Sequence, residues 1–234
     1  MTRVAIVVVA RDPRHAKTRL RAALLPSDRA SLALAMLDDV VSAATRTHHA
    51  VLVVTDARSI AAHVRTVGAR ATVVPARGTR NAAAHGLRLA ARSGADAALV
   101  VAADLPFATA ADLRRVIAAG RRTAIVIVPD RRGSGTNALY LRPPSRIAPR
   151  FGRGSLAAHR RAAGPAGRVL RVARLGVDID TPADLRAFAR SKARAGIHTR
   201  RALGAIASGA APSTRRGSPS PRAARSPTRP ARPR

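Results

Sequence analysis

Apolar residues run without interruption from Val4 to Ala10, rich in β-branched side chains, as in a strand buried on both faces of a parallel sheet. Shorter runs of the same kind recur at residues 50–54, 71–74, 97–102, 124–128, 138–141 and 169–172, and each predicts a strand. Between them the apolar positions take helical spacing, over 30–44, over 60–67 before Gly68, over 81–91 before Gly94, and over 155–163. Two further helices carry their own start signals. Thr109-Ala110-Ala111-Asp112 is a variant capping box opening a helix that stops at Gly120. Thr181-Pro182-Ala183-Asp184 supplies an N-cap, a proline at the first helical position and an acid in the first turn of a helix running to about Lys192. Strand and helix alternate, which predicts an α/β fold with a mostly parallel central sheet flanked by helices. Ligands of such sheets bind beyond the carboxyl ends of the strands.

The pattern fails after Ala195. Residues 212–234 are almost entirely Pro, Ser, Arg, Ala, Thr and Gly, without an acid, and cannot bury enough apolar surface to offset their ordering entropy. The chain therefore reads as one domain over residues 1–195 and a basic disordered tail over 196–234. Aromatic residues are 2% of the chain, so stacking on bases is not its main mode of recognition. The absence of cysteine excludes disulfides, thiolate metal sites and cysteine nucleophiles. The apolar run at the start is too short for a signal-peptide core with a cleavage site, and no run approaches a membrane span. A cytoplasmic protein without a membrane partner is expected. The formal charge is +31, and all the basic residues except Lys17 and Lys192 are arginine. Arginine with abundant alanine is also what GC-rich coding produces. Nucleic acid is accordingly not expected as a partner, and the tail reads as a solvated extension.

Against that charge, all 12 acidic residues are aspartate, and three stand where strands should end. Asp104-Leu105-Pro106 closes an apolar run, placing a carboxylate on a rigid support with the proline ending the strand. Asp178-Ile179-Asp180 is a D-x-D whose alternation directs both carboxylates to one side, where their repulsion favours a cation. Together they suggest a hard-cation site that binds Mg²⁺ through a few oxygens and leaves room for phosphates. The loop after the first strand carries Arg11 and Lys17-Thr18-Arg19, cations placed to hold a triphosphate, without the glycines of a Walker loop. In Gly133-Ser134-Gly135-Thr136-Asn137 the glycines let backbone amides approach an anion, and Thr136 and Asn137 add side-chain hydrogen bonds. Phe151-Gly152-Arg153-Gly154-Ser155 puts amides at a helix N-terminus, where a phosphate or carboxylate is favoured.

In this order, Lys17-Thr18-Arg19-Leu20, Asp104-Leu105-Pro106, Gly135-Thr136-Asn137-Ala138-Leu139, Phe151-Gly152-x-Gly154-Ser155 with His159, and Asp178-Ile179-Asp180-Thr181-Pro182 resemble the guanylyltransferases of coenzyme F-420 biosynthesis. The resemblance covers about residues 3 to 190. It implies a Rossmann-like nucleotidyltransferase fold, shared with molybdenum-cofactor nucleotidyltransferases. It implies transfer of GMP from GTP to phosphoenolpyruvate, or to 2-phospho-L-lactate, with release of pyrophosphate. It further implies that Asp104, Asp178 and Asp180 bind Mg²⁺ and that Thr136, Gly152 and Ser155 hold the acceptor. Lys17, Arg19, Arg11 and Asn81 are then the nucleotide-binding candidates, with Lys17 and Asp104 carrying catalysis; His159 is given no catalytic role. Two departures stand out. Arg11-Asp12 replaces the family's usual Lys-Pro pair, and Arg80-Asn81 replaces a Leu-Asn pair. Among the acceptors, which include 3-phosphoglycerate, phosphoenolpyruvate is favoured by the bacterial look of the composition. The alternative within the class is a nucleotidyltransferase with another acceptor. The alternative outside it is a basic nucleic-acid-binding protein with an inactive transferase domain.

Overall fold

The computed structural model describes residues 2–15, 17–67, 69–74 and 78–209. Its centre is a seven-stranded sheet of β1 (Val4–Ala10), β2 (Ala50–Thr55), β3 (Arg70–Val73), β4 (Ala97–Ala102), β5 (Ile125–Pro129), β6 (Thr136–Leu141) and β7 (Gly167–Val169), in the order β3-β2-β1-β4-β6-β5-β7. β1 pairs in parallel with β2 and β4, β2 with β3, and β5 with β7, whereas β6 is antiparallel to both β4 and β5. One strand therefore runs against the rest. The short connection from Pro129 to Thr136 permits nothing else, because a parallel return requires a crossover of a dozen residues or more. The reversal brings the first residues of β6 to the edge where β4 ends, and Ala138 pairs with Val101.

The helices are α1 (Pro26–Thr45), α2 (Arg58–Thr66), α3 (Thr79–Arg92), α4 (Ala110–Gly120), α5 (Ser155–Ala163), α6 (Pro182–Arg190) and α7 (Ile197–Ala207). Alternation along β1 divides the core. Val4, Ile6 and Val8 join Leu37, Val40 and Val41 of α1 and Leu113 and Val116 of α4. Ala5, Val7 and Val9 join Ala83 and Leu87 of α3 and Leu156 of α5 on the other face. A third apolar cluster lies beyond the strand ends: Leu20, Leu32, Met36, Phe107, Ile179 and Phe188. It joins the loop after β1, the loop after β4 and the D-x-D segment, and so holds the three candidate segments together.

Both capping boxes form. Thr109 and Asp112 exchange side-chain and backbone hydrogen bonds, as do Thr181 and Asp184. Gly68, expected to stop α2, and residues 210–234 of the expected tail lie outside the described residues. Among those described, no helix is long and apolar enough to cross a membrane.

Two expectations need correction. The last strand, expected at 169–172, is Gly167–Val169, because its backbone partner is the edge of β5; Val172 is instead buried in the core. The disordered tail expected from residue 196 begins with a helix. α7 is preceded by Gly196, which adopts φ +79° and offers no side chain to cap it. Its cap comes from α1: Asp39 accepts hydrogen bonds from the His198 amide (3.0 Å), the Thr199 amide (2.9 Å) and the Thr199 hydroxyl (2.6 Å). An N-terminus capped from another helix leaves no local signal. Asp39→Ala should destabilise the protein by about 1–3 kcal/mol. The checks are a urea denaturation curve and loss of amide-exchange protection over 197–207; unchanged protection there would refute the capping role.

Candidate active site

The cation loop follows β1. Asp12 is buried at its start, accepts hydrogen bonds from the Arg14 guanidinium (2.7 and 3.1 Å), and donates its amide to Asp56 at the end of β2 (2.6 Å). The Arg14 hydrogen bonds hold the Asp12 carboxyl below its ordinary pKa despite burial. An aspartate at position 12, where a proline would have no N–H, thus supplies the amide that fastens the loop to the neighbouring strand.

Lys17 follows with φ 54° and ψ 37°, a left-handed conformation that a side-chain-bearing residue adopts at a cost of about 1–2 kcal/mol. A short 3-10 turn, Thr18–Leu20, then plants Leu20 in the third cluster. This sends the Lys17 side chain inward, where it is 6% exposed and lies 2.7 Å from Asp104 Oδ2 and 2.8 Å from Asp180 Oδ1. Burial pulls the Lys17 pKa down, but the two carboxylates outweigh it and the net shift is upward. Arg19 is more exposed and reaches Asp180 Oδ2 at 3.7 Å.

Asp104 sits in the turn after β4, with Leu105 and Phe107 buried behind it. In the D-x-D segment Ile179 is completely buried. Asp180 does not serve as the helix cap, since Thr181 and Asp184 form that box; its carboxylate is left for Lys17. Asp184 is also held by Arg131 (3.0 Å) and Arg132 (3.4 Å), and the Arg131 amide donates to Gly176 O (2.7 Å). These ties between the β5–β6 loop and the segment before α6 join residues about fifty apart, and no sequence pattern announced them. Burial pushes Asp178 up to about 6, helped by the charges of Asp104 and Asp180 and opposed by Lys17.

The three expected metal ligands therefore share one neighbourhood. Asp104 and Asp180 meet at a single cation position, filled by Lys17 Nζ. Asp178 stands beside this pair, close enough for its carboxyl to respond to both charges, and among the described residues no group of three or more His, Cys, Asp or Glu side chains is gathered as a metal cluster. The central Ile179 is packed in the third apolar cluster, and Lys17 pairs with both Asp104 and Asp180.

A cleft of about 320 Å³ opens beside this pair, lined by Arg11, His15, Lys17, Arg19, Thr79, Asp104 and Asp180 among others. That is the lower range of small-molecule sites. Arg11, Lys17 and Arg19 are thus brought together as expected. Asn81 is exposed in the first turn of α3, and the cleft is lined there by Thr79 instead.

The acceptor candidates form a second group on the same edge of the sheet. Thr136 begins β6, two residues before Ala138, which pairs with Val101 near the end of β4. The Leu156 amide at the start of α5 donates to Ser134 O (3.2 Å), which holds the glycine loop against the β5–β6 loop. Gly152 takes φ +126° and a Cβ there would meet nothing within 4 Å, so the loop backbone is open on that side. Ser155 is the first residue of α5, after Gly154 in the left-handed conformation.

His159, one turn into α5, is fully buried behind this group. Its Nδ1 lies 2.9 Å from Thr136 Oγ1, its Nε2 accepts the Arg150 amide at 2.7 Å, and Phe151 meets its ring edge-on at 5.2 Å. Burial, and then the charge of Arg150, depress its pKa to about 4. Between the ordinary value of about 6.5 and this value, the unfolded chain takes up a proton that the folded chain refuses. Stability should therefore fall as the pH drops through that window, by about 3 kcal/mol in total, and level off for this group below it. His63, raised by its hydrogen bond to Asp38, and Asp178 titrate in the opposite sense. The check is the pH dependence of unfolding free energy in wild type minus that in His159→Gln; no difference between pH ~6.5 and ~4 would refute the buried neutral ring.

A sheet of this order, with a converging carboxylate pair beside a cation-lined cleft at one edge, has the architecture of a nucleotidyltransferase. The fold is similar to the crystal structure of a proposed nucleotide-diphospho-sugar transferase from Desulfovibrio desulfuricans G20 (TM-score 0.70, 17% identity, 89% of this chain and 96% of that one). It is also similar to a Mycobacterium tuberculosis H37Rv protein solved in complex with manganese (TM-score 0.52, 23% identity, 81% of this chain and 99% of that one). More particularly, the chain belongs to the CofC-like guanylyl transferase family, whose sequence model matches residues 2–195. A phosphoenolpyruvate guanylyltransferase of Sphaerobacter thermophilus is 43% identical over 81% of this chain and 93% of its own length.

Proposed function

We propose that this protein transfers GMP from GTP to phosphoenolpyruvate and releases pyrophosphate, with Mg²⁺ as cofactor. The acceptor is that of the similar Sphaerobacter protein, and the base is that of the family. The observation that carries the reading is the meeting of Asp104 and Asp180 at one cation position, beside a cleft lined with cations and on the sheet edge that holds Thr136 and the glycine loop.

The residues fit a magnesium ion. Mg²⁺ is usually bound through one or two carboxylates with water and substrate phosphates completing its shell, rather than by a dedicated protein cage. Asp104 and Asp180 are such a pair, all-oxygen and already converging on a cation, and Asp178 is a further carboxylate close enough to sense both. When bound, the metal supplies charge neutralisation for the phosphates.

The chain's own residues do the rest. An oxygen of the acceptor phosphate attacks the α-phosphorus of GTP, the bond from that phosphorus to the bridging oxygen breaks, and pyrophosphate leaves with the electron pair. A phosphate monoester has a second pKa of about 6, so the attacking oxygen is already anionic at neutral pH and no general base is needed. The obstacle is repulsion between two polyanions. Arg11, Lys17 and Arg19 hold the triphosphate in the cleft, while Thr136, the Gly152 amide and Ser155 at the α5 N-terminus hold the acceptor. The test is pyrophosphate release with GTP, Mg²⁺ and each of phosphoenolpyruvate, 2-phospholactate and 3-phosphoglycerate, with ATP and CTP as controls. Turnover with phosphoenolpyruvate and GTP is expected; turnover with a different acceptor, or none, overturns the assignment.

A further inference from the structure

We propose that His159 is a positioning residue for the acceptor: it holds the Thr136 hydroxyl as an acceptor of one hydrogen bond, leaving that hydroxyl's proton free to donate to the phosphate or carboxylate of the incoming substrate. The inference rests on the reading of Thr136 as an acceptor-binding residue.

The tautomer follows from the backbone. The Arg150 amide can only donate, and it points at Nε2 from 2.7 Å, so Nε2 carries a lone pair. In the neutral ring the proton is then on Nδ1, which faces the Thr136 oxygen at 2.9 Å with the Ser155 carbonyl as a second acceptor, so toward Thr136 the ring can only donate. A ring held as a donor cannot take the threonine's own proton. Thr136 is nearly buried, and His159 is the one side-chain partner of its hydroxyl among the described residues. Its O–H is thus a donor awaiting an acceptor, at the sheet edge where the anion loops converge. The ring itself cannot turn: the Arg150 amide holds one nitrogen, Phe151 meets its edge, and α5 carries it on the face that begins with Ser155, four residues earlier. The depressed pKa keeps the ring neutral under working conditions, which preserves this arrangement.

Two substitutions separate the two nitrogens. In His159→Asn the amide nitrogen takes the place of Nδ1 and still donates to Thr136. In His159→Gln the amide oxygen takes the place of Nε2 and accepts from Arg150, but the donor to Thr136 is lost. His159→Gln and Thr136→Val should each raise KM for phosphoenolpyruvate about tenfold, with KM for GTP unchanged. The double variant should be no worse than Thr136→Val alone, and His159→Asn should rescue most of the loss. A tenfold rise for Thr136→Val with none for His159→Gln overturns the role of His159 and leaves the acceptor site standing. No rise for either overturns the acceptor site, and this inference with it. A rise in folded His159→Asn equal to that in His159→Gln also overturns the inference, and keeps it testable should the glutamine variant fail to fold.

Discussion

Asp104→Ala is expected to lower the rate of pyrophosphate release by about 10³-fold while leaving the fold intact. The carboxylate closes β4 from an accessible turn, and its side chain is 32% exposed, so removing it opens no cavity in the core. What it removes is one of the two oxygens that meet at the cation position. On the proposed reading, Asp180 alone then faces the metal, and charge on the reacting phosphates goes uncompensated. Two measurements check this: pyrophosphate release at saturating GTP, and Mn²⁺ binding followed by electron paramagnetic resonance in the absence of nucleotide. Far-UV circular dichroism should match wild type. Full activity with unweakened Mn²⁺ binding would remove Asp104 from the metal site.

Lys17→Met should cost about 10²-fold in kcat/KM for GTP. The ammonium is almost wholly buried, and a buried charge persists only where opposite charge and hydrogen bonds meet it. Asp104 and Asp180 do both, at 2.7 and 2.8 Å. Lys17 also lines the cleft in which the triphosphate is proposed to lie. Methionine keeps the stem and removes the charge, leaving two carboxylates without their shared partner. The loss should fall on GTP and spare KM for the acceptor, which is proposed to sit on Thr136, Gly152 and Ser155. Initial rates with each substrate varied in turn distinguish these outcomes; an equal rise in both KM values would mean that Lys17 shapes the whole edge rather than the nucleotide cleft.

Much of the architecture is local and was legible. The Val4–Ala10 and Ala97–Ala102 strands occupy the expected residues, because a strand buried on both faces must be apolar throughout. α4 and α5 begin where expected, at Ala110 and Ser155. The segments bearing Asp104 and Asp180 stand out because each joins a carboxylate to an apolar run, that bearing Lys17 because its loop is rich in cations, and those bearing Thr136 and Ser155 because glycines precede them. Other features were not legible. β7 is an edge strand of three residues with Arg168 and Val169 exposed, so it carries no burial pattern, and its position is set by pairing with β5. α7 depends on Asp39, which lies far away in the chain, for its cap.

Order along the chain is enough to specify strands, helices and their own caps, since these depend on residues within a few positions of one another. It is also enough to bring candidate side chains to one end of a sheet, because every strand but β6 shares a direction and β6 is forced to reverse. It cannot say which charges meet. That Lys17 turns inward onto Asp104 and Asp180, that Asp178 stands beside the pair, and that His159 meets Thr136 are outcomes of packing. Leu20, Phe107 and Ile179 meet in one apolar cluster, and burying them dictates where the charged neighbours of each must point.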